Sequence, residues 1–90
     1  MESIGKMSAE SITILNNFFG YADRIGLELL EGDKRYLRYL SMGIQEERLR
    51  KALVAYIANW QEGMNKTSDE IRKQGEGRRT ANNKIRDALM

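Results

Sequence analysis

Residues 45–63 read QEERLRKALVAYIANWQEG, and this stretch decides the fold class. Leu49, Leu53, Tyr56 and Trp60 recur at intervals of 4, 3 and 4 residues, and Ala52, Ile57 and Met64 widen the same stripe. Glu46, Glu47, Arg48, Arg50, Lys51 and Glu62 occupy the remainder of the wheel. At 100° per residue this division describes a helix with one face turned to a core. The spacing predicts that it starts near Ile44 or Gln45 and runs to about Gly63.

A helix with one apolar face needs partners, and the residues before it supply two. Asp33 can cap a short second helix over Lys34–Met42 that ends at Gly43. Tyr36, Leu37 and Leu40 share one side of its wheel and Lys34, Arg35 and Arg38 the other, with Tyr39 on the border. Farther back, Leu15, Phe18, Ala22, Ile25 and Leu29 step by 3, 4, 3 and 4. Ile12, Ile14, Phe19 and Tyr21 widen that stripe to about half the circumference. With Ser8 as N-cap and Gly32 as a left-handed stop, the pattern predicts one bent helix from Ser8 to Glu31. A break at Gly20 is the alternative.

Composition changes after Met64. Between Asn65 and Lys84 only Ile71 and Ala81 are clearly apolar, which predicts weak anchorage to the core. Gly75-Glu76-Gly77 then divides this tail into two weak helices, near 67–74 and 78–89. Residues 1–64 hold 8 basic and 9 acidic side chains and residues 65–90 hold 7 and 4, so a net charge of −1 adjoins one of +3. The expected architecture is an all-α small helical bundle. Its parts are a long helix 1, a short helix 2, a long helix 3 antiparallel to helix 1, and a polar, weakly helical C-terminal arm. Residues 1–64 form the core and residues 65–90 a basic arm of the same domain. Ninety residues without a proline fit this layout, since average usage of near 5% would place about four or five in such a chain.

The absent residue types narrow the chemistry. With no cysteine there is no disulfide framework, thiolate nucleophile or sulfur-held zinc, and with no histidine no imidazole base. Catalysis would fall to carboxylates, lysine or tyrosine, and the pattern offers no arrangement of them. Adjacent pairs such as Glu46-Glu47 and Asp69-Glu70 point about 100° apart on a helix. Ser3-Ile4-Gly5-Lys6 matches the S-x-x-K string of acylating serine enzymes but lacks the companion elements. Gly75-Glu76-Gly77 lacks the third glycine and the strand of a dinucleotide loop. Asn65-Lys66-Thr67 reads as an incidental glycosylation sequon. The expectation is a non-enzymatic protein with no catalytic residue, cofactor or metal. The first eight residues lack the apolar stretch of a signal peptide, and no run approaches a membrane span, so the expected location is cytoplasmic with no membrane partner.

What remains is binding. Lys34, Arg35 and Arg38 on the second helix and Arg72, Arg78, Arg79 and Arg86 in the arm are the candidate contact residues. The leading reading is a small protein–protein interaction protein (an adaptor, inhibitor or assembly subunit) with an unidentified protein partner on which the arm orders. The alternative is a nucleic-acid-binding regulator using the same cations. Trp60 and Phe18-Phe19 lie on apolar stripes and read as core. If the second and third helices leave part of the first helix's wide stripe uncovered, a homodimer through helix 1 would cover it.

Overall fold

A computed structural model describes residues 8–90, and Ser3 and Lys6 lie outside them. Four helices follow in order: α1 (Ala9–Arg24), α2 (Glu31–Ser41), α3 (Glu46–Asn65) and α4 (Lys73–Leu89). No strand occurs among the described residues.

Ser8 begins α1 as expected, its hydroxyl oxygen accepting the Ser11 N–H at 3.0 Å. The helix does not continue to Glu31, nor does it break at Gly20. It stops at Arg24, where Gly26 takes a φ of +90°. The Gly26 N–H donates to Asp23 O and the Leu27 N–H to Ala22 O, a Schellman closure that satisfies two orphan carbonyls. Leu27, the residue just past this glycine, is buried and clamps the turn. The stop is therefore Gly26, and Gly32 lies inside the first turn of α2. Asp33 still serves the start of α2, but from the third helical position: its carboxylate accepts the Leu30 N–H at 2.9 Å. Gly43, with φ +74°, follows the end of α2 as the sequence suggests.

The largest correction concerns the tail. It is neither weakly helical nor divided at Gly75-Glu76-Gly77, because α4 is one helix of 17 residues. It buries Gly77, Ala81, Ile85 and Leu89, a four-residue repeat of small and then large side chains. A Cβ built on Gly63 would lie 2.5 Å from Glu76 O, and one on Gly77 would lie 2.5 Å from Trp60 Cδ1. Both are far inside van der Waals contact, so the two glycines allow the α3 and α4 backbones to meet. α3 and α4 share the most extensive helix contact of the fold. Gly63 lies beside Gly77 and Tyr56 beside Asn82, while Arg48 reaches the Ala88 carbonyl, so the pair is antiparallel.

The core lies among all four helices. Phe18 stacks edge-on against Tyr56 at 5.8 Å, and Tyr56 lies 5.9 Å from Trp60, which joins α1 to α3 through aromatic contacts. Contacts between α1 and α3 rise together in number: Ser8 shares a cleft with Glu46 and Glu47, and Tyr21 shares one with Ile57. The two helices thus run in the same sense, not antiparallel as expected. The 11-residue α2 reverses the chain between them.

Candidate functional site

The most constructed polar feature joins four parts of the chain. Asp33, 5% exposed, accepts Arg78 Nε at 2.7 Å, the Asn82 side-chain amide at 3.0 Å and the Leu30 N–H. Asn82 in turn accepts the Tyr56 hydroxyl at 2.6 Å. Arg78 also donates to Glu28 O at 2.7 Å and places its guanidinium 5.3 Å from the Trp60 ring. Gln74 Oε1 accepts from Trp60 Nε1 and the Glu28 N–H, and its amide donates to Gly26 O. Loop 25–30 and the start of α2 are thereby tied to α3 and α4. Burial, with the Asp33 carboxylate nearby, pushes the Tyr56 phenol above the usual tyrosine range; the Arg78 charge partly offsets this. Among the described residues no buried side-chain polar atom lacks a partner, so this network is internally satisfied.

These contacts sort the seven sequence candidates. Arg78 directs Nε at Asp33 and Nη2 at the Glu28 carbonyl. Arg79 pairs with Glu76 one turn before it, and Arg86 lies 3.7 Å from Asp87. Arg72 is exposed at the start of α4. Lys34 and Arg38 come together over one ring: Lys34 Nζ lies 5.7 Å and Arg38 Cζ 5.3 Å from the Phe19 centroid. Arg35, between them in sequence, is exposed. None of these three makes an ion pair among the described residues.

A second surface takes in part of the wide first-helix stripe, with a wall on α3 that was not singled out in the sequence. Between α1 and α3 runs a cleft of about 320 Å³, lined by Ile14, Phe18, Tyr21, Leu53, Val54 and Ile57, with Arg50 and Asn17 also at its wall. Val54 is 70% exposed and Tyr21 46%. Scattered exposed aliphatics are ordinary, but these are contiguous. The signal was present in the spacing, since Arg50, Val54 and Ile57 step by 4 and 3 beside the buried stripe of α3. That α1 would leave the strip open was not encoded in α3 itself.

No helix among the described residues is long and apolar enough to cross a membrane, and none of the described His, Cys, Asp or Glu form a group of three or more placed to hold a metal ion. Comparison with protein-family models, curated proteins and solved structures gives no significant match.

Proposed function

We propose that the chain is a non-enzymatic protein–protein interaction protein, of the adaptor, inhibitor or assembly-subunit kind, that receives a partner helix in the groove between α1 and α3. The 70% exposure of Val54 in an otherwise apolar groove supports this most directly. Two ridges border the groove, with Ile14 and Tyr21 along α1 and Val54 and Ile57 along α3. That shape suits an amphipathic helix with anchors at i, i+3 or i+4, and i+7. Arg50 is the one charged side chain lining the groove. It asks for a carboxylate at the matching end of the partner's stripe.

α4 is folded against α3, so this proposal rests on the groove rather than on an arm that orders on a partner. A photoreactive residue at position 54, compared with one at position 79, tests the groove in the native cell. The expected result is an adduct formed only from position 54, mapped to an amphipathic helix with an acidic end and suppressed by Arg50→Glu. Equal adducts from both positions, or none from position 54, would overturn it. An adduct to a second copy, with a dimer in light scattering, would replace the foreign partner with self-association.

A further inference from the structure

The three unpaired cations of α2 form a surface distinct from the groove, and it stands or falls separately from the protein-partner proposal. Lys73, Arg78, Arg79, Lys84 and Arg86 each have a carboxylate within 4 Å, whereas other cations, Lys34, Arg35 and Arg38 among them, have none among the described residues. Lys34 and Arg38 have the Phe19 ring instead. An aromatic face orders a cation without occupying its N–H donors, which stay directed at solvent. Lys34 and Arg38 are one turn apart, and so are Arg35 and Tyr39, each pair being neighbours on the helix surface. The Tyr39 side chain, with the residue 61% exposed, offers an open ring beside these charges. Glu31 precedes them by one turn and Asp23 lines the cleft at Lys34, which confines the positive strip to Lys34–Tyr39.

A single phosphate would call for cations converging on one pocket. Here they are spread along a turn and a half of helix, with a stacking surface at their edge. We propose that this face of α2 binds single-stranded nucleic acid, with Lys34, Arg35 and Arg38 on successive backbone phosphates and Tyr39 stacked on a base. A duplex would hide its bases from Tyr39 and gain only the charge contacts.

Fluorescence anisotropy with labelled 20-mers of oligo-dT and oligo-U, titrated from 50 to 300 mM salt, tests the proposal. Three neutralised phosphates on a single strand predict a log–log slope of about −2. Arg35→Gln with Arg38→Gln should flatten that slope to about −0.7, the value for one remaining phosphate contact. Tyr39→Ala should weaken binding about 5- to 100-fold, the share of one stacked base. Lys51→Gln serves as the control and should change affinity less than about twofold, because Lys51 is an exposed residue of α3 outside the strip. Buried Trp60 emission verifies that each variant is folded. No binding at 50 mM salt would overturn the proposal. So would binding that is indifferent to Tyr39, or matched by duplex DNA, polyphosphate or poly-glutamate, since each of these marks a generic polyanion surface.

Discussion

Gly77 and Gly20 illustrate how one residue type can have opposite consequences in one fold. Both lie inside helices, where glycine costs about 1 kcal/mol relative to alanine. At Gly20 a Cβ would meet only the far end of Arg24 at 3.8 Å, so Gly20→Ala should raise stability by up to about 1 kcal/mol. At Gly77 it would collide with the Trp60 ring and carbonyl, and Gly77→Ala should lower stability by about 1–3 kcal/mol. Urea unfolding followed by Trp60 emission measures both; a stabilised Gly77→Ala would mean that the close approach of α3 and α4 is not needed. Tyr56 gives a pH prediction. Its folded-state phenol is harder to ionise than the unfolded one, which loses its proton near pH 10. The stabilising difference is complete below that pH and is lost as pH rises through and above it, by at most about 1.4 kcal/mol per pH unit. Urea midpoints from pH 9 to 11.5 should therefore fall, and one tyrosine should stay silent in the alkaline absorbance titration until the chain unfolds.

Among the elements, α4 departs furthest from its sequence signature. Its first ten residues contain two glycines, three cations and one large hydrogen-bond network, and few apolar atoms. Counting apolar residues underestimates it, because Gly77 and Ala81 stabilise it by permitting approach rather than by burying area of their own. The repeat Gly77, Ala81, Ile85, Leu89 was legible as a stripe; its meaning required Gly63 and Trp60 on the facing helix. Hydrogen exchange should accordingly show α4 amides from Ala81 to Leu89 protected to a level near that of α3. The turn 66–72, whose Ile71 is 93% exposed, should exchange fast. Exchange of α4 as fast as this turn would restore the loosely attached arm. The α1 end teaches the complementary lesson: periodicity carried the stripe on through Ile25 and Leu29. A glycine followed by a leucine capable of burial ended the helix before either could use its helical phase.

Across the four helices, charge is unevenly shared. α2 and α4 together hold eight basic and four acidic side chains, whereas α1 and α3 hold four and five. The exposed apolar groove lies on the second pair. Val54→Glu is expected to leave the unfolding free energy within about 0.5 kcal/mol, as for other surface changes, while abolishing the adduct formed from a photoreactive residue placed at position 21, on the α1 wall of the groove. A large loss of stability would make Val54 part of the core instead. Helical class, the position of α3, the Ser8 cap and the Gly43 stop were all readable from the chain alone, because each depends on spacing within one helix or on a neighbour a few residues away. The direction of α3 relative to α1, the single α4 and the separation of Arg78 from Lys34 and Arg38 were settled only by tertiary contacts. Those contacts join residues about 15 to 50 positions apart, where local periodicity carries no information about which faces meet.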